Sequence, residues 1–401
     1  MDWQTSADVL PSHFVTDADA RAARGKAPAT GAWRDGDDVG LRQFAPLGRF
    51  ELESGAVLPH VRMAYETFGT LNAEKSNAVL VFHALTGDSH VANTEGVERQ
   101  SPGWWEAVVG PGKAIDTERW FVVCPNVLGG CQGSTGPATL SARGVEWAAQ
   151  FPYLTIRDQV RAFQAFGAHL GIEHWAAVIG GSMGGMHALE WAISAPETVG
   201  RLAVLAAPPF ATADQIALNS VQLEAIRTDP GWDGGDYYDA AVGEGPSRGL
   251  ALARRMAILN YRSARELNDR FERDWQSDVS PLGGVGRFAV ESYLDFHGNK
   301  FTRRFDANSY ITLTEAINSH DITRDRGTVA EVLGTLTMPS LTLGVDTDRY
   351  FPLDGQQCIA AALPGSIHGT EPIVVESEYG HDAFLIESGV VGAALSELLA
   401  T

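Results

Sequence analysis

Ser182 stands in the run Gly180-Gly181-Ser182-Met183-Gly184, a G-x-S-x-G pattern with one hydroxyl among residues of almost no bulk. An apolar run ends just before it, and Met186, Leu189 and Ile193 follow at helical spacing. The pattern predicts a tight strand-to-helix turn in which the serine is forced into a strained backbone conformation and its neighbours must stay small. Such a turn lifts the hydroxyl clear of the backbone. It also sets the N–H of Met183 at a helix N-terminus, where it can donate to an oxyanion. The chemistry this suits is nucleophilic attack on an acyl carbon.

A serine hydroxyl needs a base, and the base needs an orienting acid. In elbow-type sites these follow in the chain order Ser, Asp or Glu, His. The run 339–348 ends in Asp346 and Asp348, and the run 372–382 ends in His381. His381 would take the serine proton, and an ionised aspartate would hold the imidazole tautomer and stabilise its cation. Spacing alone leaves both aspartates open for that role. A second oxyanion donor is expected from the loop after the third strand, here His83-Ala84-Leu85-Thr86-Gly87, with the main-chain N–H of Leu85 as the candidate.

These residues need a sheet to carry them. Short, nearly continuous apolar runs at 77–85, 120–128, 174–182, 201–209, 339–348 and 372–382 alternate with turn and helical material. That alternation marks an α/β fold with a mostly parallel sheet covered by helices on both faces. Before them, two half-alternating runs flank Ser54-Gly55, as an antiparallel hairpin requires. The stretch 155–171 reads as one covering helix, with Ile156, Val160, Phe163 and Phe166 on a stripe and Gly171 beyond its end. The alternation breaks off between 211 and 326, where helical spacing persists without a strand; such an insertion predicts a lid over the sheet edge where open α/β sheets bind ligands. The expected divisions are a mobile tail over 1–45, a first core part over 46–210, the lid over 211–326 and a second core part over 327–401.

The chain of 401 residues is 44% hydrophobic and 20% charged, ordinary values for a globular protein. A net charge of −20 argues against a general nucleic-acid or anionic-membrane binder, but a local pocket can still differ in sign from the whole. Cys124, Cys131 and Cys358 form no paired framework, as expected of reduced thiols. With no secretory signal pattern and no apolar run of membrane-spanning length, a soluble cytoplasmic protein is expected. No metal site is expected.

Several segments together resemble homoserine O-acetyltransferases: HALTGDSHV, NVLGGCQGSTGP, FPYLTIRDQV, GGSMGGMHALEW, ARRMAILNYRS, FTRRFDANSYITLTEAINSHD and YGHDAFL. The resemblance runs from about Gly48 to the C-terminus. It implies the α/β-hydrolase fold, acetyl-CoA as co-substrate with no permanently bound cofactor, L-homoserine as acceptor, and a place in methionine biosynthesis. It implies ping-pong chemistry through an acyl-enzyme on Ser182, and a homodimer. It favours Asp348 over Asp346 as the acid, through the stretch Thr347-Asp348-Arg349-Tyr350-Phe351-Pro352. It places the homoserine carboxylate on Arg254 and the amine on Asp382; Tyr261, seven positions past Arg254 and so near the same helix face, is a further candidate for the carboxylate. Without the resemblance, Arg254 and Arg255 read as a solvated helix face. Ile258, Tyr350 and His187 depart from residues frequent in relatives; related enzymes use succinyl-CoA or accept serine. A homoserine or serine O-succinyltransferase is therefore the alternative, and a carboxylesterase or thioesterase with the same triad is a further one.

Overall fold

The computed structural model describes residues 25–93 and 102–401. Eight strands form one sheet: β1 (Gln43–Glu51), β2 (Val57–Phe68), β3 (Ala78–Phe82), β6 (Phe121–Pro125), β7 (Ala177–Gly181), β8 (Leu202–Leu205), β9 (Ser340–Val345) and β10 (Ile373–Val375). Their spatial order is β1-β2-β6-β3-β7-β8-β9-β10. The hairpin β1–β2 and the β2–β6 pair are antiparallel, and every later neighbour is parallel. Two short segments, β4 (Val109–Gly110) and β5 (Ile115–Asp116), pair beside it.

Strands β3, β7, β8 and β9 are buried along their whole length because both faces are covered, whereas β1 has several exposed residues. Along β3, Leu80 and Phe82 join a cluster with Phe163, Met186 and Leu189, while Val79 and Val81 point the other way, to Val391, Leu395 and Leu398. Helix α1 (Ile156–Leu170) supplies the first side; Thr155 and Asp158 close a capping box at its start, and Gly171 ends it in the left-handed conformation. Helix α2 (Met183–Ser194) packs beside α1.

The helical excursion contains α3 (Ala213–Arg227), α4 (Ser247–Tyr261), α5 (Ala264–Phe271), α6 (Ala289–Phe301) and α7 (Ala307–Asn318). Its two stems are zipped together by Ala211 N–H to the His320 carbonyl at 2.8 Å and Ile322 N–H to the Pro209 carbonyl at 3.1 Å. A two-pronged ion pair from Arg326 to Glu190, 2.7 Å on one prong, anchors the far stem to α2. The chain then completes the core through α8 (Val329–Leu333), α9 (Leu353–Ala362), α10 (Ala383–Ile386) and α11 (Ser388–Ala400). No single helix among the described residues is long and apolar enough to cross a membrane.

The expected mobile tail over 1–45 needs correction over the part that is described; residues 1–24 lie outside it. Gly31 N–H donates to the Phe305 carbonyl at 3.2 Å, Trp33 N–H to the Cys131 carbonyl at 2.9 Å, and the Thr30 hydroxyl to Asp306 at 2.8 Å. Hydrogen bonds to distant residues, rather than an apolar stripe of its own, hold this segment in place, and β1 already begins at Gln43.

Candidate active site

Ser182 sits between β7 and α2 at φ 58°, ψ −125°, a left-handed conformation that a serine adopts only under constraint. Its N–H donates to the Leu205 carbonyl of β8 at 2.9 Å, and its carbonyl accepts from Gly185 and Met186. The small neighbours are required by contact. A Cβ on Gly180 would lie 1.9 Å from the Gly184 carbonyl oxygen, and one on Gly184 would lie 2.3 Å from that of Phe82.

The hydroxyl of Ser182 is 2.8 Å from Nε2 of His381, and Nδ1 of His381 is 2.6 Å from Oδ2 of Asp348. The other carboxylate oxygen of Asp348 accepts the N–H groups of Tyr350 at 2.9 Å and Phe351 at 2.8 Å, so the acid is fixed before it orients the ring. Asp346 is occupied elsewhere: it accepts the Ser377 N–H at 3.0 Å and ties the end of β9 to the strand beside it. All three members of the relay are buried, and the imidazole is packed among Tyr261, Tyr350, Phe351 and Phe384. Burial alone would push the His381 pKa down. The charge and hydrogen bond of Asp348, and then the charge of Asp382, outweigh it and leave the pKa raised above 6.5.

The Leu85 and Met183 amides have no acceptor among the described residues, and Leu85 lines the same cavity as Ser182. A residue the sequence reading passed over aims the first of them. The buried His83 ring accepts the Val127 N–H at Nε2, 3.0 Å, and donates from Nδ1 to the Ala84 carbonyl at 2.7 Å. Gly87 N–H donates to the same carbonyl at 2.9 Å. In a trans peptide the N–H lies opposite the carbonyl, so pinning the Ala84 oxygen turns the Leu85 N–H the other way. Burial holds the His83 pKa down against the Ala84 bond and Asp88, which keeps the ring in the neutral form both bonds need.

The cavity over Ser182 has a volume of about 190 Å³. Its walls include Leu85, Trp104, Arg254, Tyr261, Arg304, His381 and Asp382. Arg255 points outward to Asp295 at 2.9 Å, whereas Arg254 turns inward, with its guanidinium carbon 5.1 Å from the Phe301 ring and 6.0 Å from that of Tyr261. The inward turn is invisible in an Arg-Arg pair read alone. Tyr261 closes α4 against His381, and burial pushes its phenol up to about 12. Asp382 follows His381, is 3.4 Å from Nε of Arg262 and lines the cavity. Arg304 was not among the residues singled out from the sequence. Of the departures from the family pattern, His187 is buried against Gln159 at 2.8 Å, away from the cavity, and Tyr350 donates to Asn219 of α3 at 2.9 Å.

An elbow serine under a helical lid, on a mostly parallel sheet, defines the α/β-hydrolase class, and the alpha/beta hydrolase fold model matches residues 77–388. Within that class the chain belongs to the homoserine O-acetyltransferase family. It is 61% identical over 401 residues to the homoserine O-acetyltransferase of Leifsonia xyli subsp. xyli, covering 100% of both chains. Against the enzyme of that name from Clavibacter michiganensis subsp. michiganensis it is 60% identical, covering 96% of this chain and 100% of the other. The crystal structure of homoserine O-acetyltransferase from Bacillus anthracis superposes with a TM-score of 0.81 at 28% identity, covering 90% of this chain and 97% of that one. An acetylester hydrolase from Corynebacterium glutamicum gives 0.77 at 26% identity, covering 90% and 97%. The fold thus serves transfer and hydrolysis alike, and the cavity wall must decide between them.

Proposed function

We propose that this enzyme moves the acetyl group of acetyl-CoA to the γ-hydroxyl of L-homoserine, in methionine biosynthesis, through an acyl-enzyme on Ser182. In the first half-reaction the Ser182 oxygen attacks the thioester carbonyl and gives its proton to Nε2 of His381. The tetrahedral oxyanion is held by the Leu85 and Met183 amides; collapse breaks the carbon–sulfur bond, and the thiolate leaves with the proton from His381. In the second, the homoserine hydroxyl gives its proton to His381 and attacks the acyl carbon. Collapse returns the proton to Ser182 and releases O-acetylhomoserine. Asp348 stabilises the imidazolium in both halves without taking the proton.

The observation that carries acceptor transfer over hydrolysis is Arg254: a cation turned into the cavity, with no ion-pair partner among the described residues. An esterase acting on a neutral ester has no use for it, whereas an amino-acid acceptor brings a carboxylate to fit the guanidinium fork and an ammonium to fit Asp382. Water at about 55 M competes for the acyl-enzyme, and an acceptor held in attack geometry reaches effective molarities of about 10⁵ M and above. Tyr261, between Arg254 and His381, would contact the same carboxylate. The resemblance further supports a homodimer, and the unpaired cysteines of the sequence support a cytoplasmic setting. The decisive experiment offers the enzyme acetyl-CoA or succinyl-CoA, each with homoserine or serine, and weighs the products. O-acetylhomoserine as the dominant product is expected. Acetate release at the same rate with and without homoserine would sink the reading.

A further inference from the structure

Arg304 follows α6, and nothing above gives it a task. Its guanidinium lines the cavity together with Ser182, His381 and Arg254. Its main chain is anchored, since its carbonyl accepts from Gln132 at 2.7 Å and Gly31 packs against its backbone so closely that a Cβ there would lie 2.5 Å from the Arg304 nitrogen. One of its N–H groups donates to the Thr86 carbonyl at 2.9 Å, which leaves the others for the cavity. Its guanidinium carbon lies 5.5 Å from the Phe301 ring, the ring that Arg254 also approaches at 5.1 Å. Two cations therefore share one aromatic side chain, and neither has a carboxylate in ion-pair range among the described residues.

Two like charges at one wall cost free energy in the empty protein, and a bound anion repays it. The occupants named above limit what that anion is. An acetyl group carries no charge. The phosphates of a nucleotide carrier stand a whole pantetheine arm away from its thioester, outside a cavity of about 190 Å³. The ammonium of the acceptor belongs with Asp382. The acceptor's α-carboxylate is left as the anion in reach of both guanidiniums. We propose that Arg304 is a second ligand of the acceptor carboxylate, which Arg254 and Arg304 hold together. This rests on the amino-acid-acceptor reading above and extends it to a residue on another lid segment.

The test compares R304M, which keeps the length and loses the charge, with R304K and the unaltered enzyme. Each is assayed with homoserine and with homoserinol, whose carboxylate is replaced by a neutral CH₂OH. The expected result is a KM for homoserine raised about 10- to 100-fold in R304M, a much smaller change in the KM for acetyl-CoA, and a preference for homoserine over homoserinol reduced by a similar factor. R304K should recover part of that preference. Should R304M fail to fold, R304K, with its charge but no fork, carries the comparison by a partial loss of the same preference. A residue that only props the Thr86 loop would slow both acceptors equally, so an unchanged preference overturns the proposal, as does a KM rise confined to acetyl-CoA. Failure of the underlying reading looks different: the unaltered enzyme itself would show no preference between the two acceptors.

Discussion

At the scale of single residues, the relay makes sharply graded demands. Ser182→Ala should abolish acyl transfer. Asp348→Asn keeps the shape but removes the charge and favours the wrong tautomer, so kcat should fall by about 10⁴. Asp346→Asn, which disturbs only a strand-end bond, should cost less than about tenfold, and steady-state kinetics of the pair separate the two aspartates. His381 must be neutral to accept a proton, and its pKa is raised. The rate should therefore fall as pH drops through a midpoint above 6.5, and a pH profile that stays flat down to pH 6 contradicts this. His83→Ala frees the Ala84 carbonyl and should lower kcat about 10- to 100-fold with little change in KM; His83→Asn, which can still donate to that carbonyl, should recover part. Ser182 and His381 were legible because their roles need particular residue types at particular strand ends. Asp348 was legible only through family resemblance, since two aspartates share one strand end. His83 and Arg304 escaped notice because their work depends on where a ring or guanidinium points, which spacing along the chain does not encode.

At the scale of elements, the elbow is the part with least tolerance. Gly184→Ala places a methyl group where the Phe82 carbonyl already stands, so the β7–α2 turn must open. Activity should be lost even in protein that remains soluble, as a circular dichroism spectrum beside an assay would show. The six apolar runs read from the sequence each contain a strand; β3, β7, β8 and β9, buried along their whole length, have no polar face to hide the signal. Helix α1 was equally plain, with its stripe and both caps in local sequence. What stayed hidden was the order of residues 25–42, whose anchoring bonds go to residues 90 or more positions away, as from Arg42 to Gln132. The pair β4–β5 was also missed, since two-residue strands have no period to detect.

At the scale of the whole molecule, charge is distributed against the average. A chain of net charge −20 places two guanidiniums on the wall of its one described Ser182 cavity. The carboxylate end of the acceptor is thus drawn to the pocket rather than to the surface, and added salt should raise the KM for homoserine more than it lowers kcat. The N-terminal segment contributes at this scale too. A chain beginning at residue 35 loses the Gly31 and Trp33 bonds, and its Tm should fall about 2–5 °C below that of one beginning at residue 25, as calorimetry would report.

That segment precedes part of its seat by 276 residues, the separation of Thr30 from Asp306, so Phe305 and Asp306 are translated long after it. It cannot settle when it is made. Trp33 can meet the Cys131 carbonyl first, whereas Gly31 and Thr30 dock only later, against the backbone that carries Arg304. The backbone that carries Arg304 is thus seated by a segment made long before it, and Asp348 and His381, made later still, complete the pocket after both.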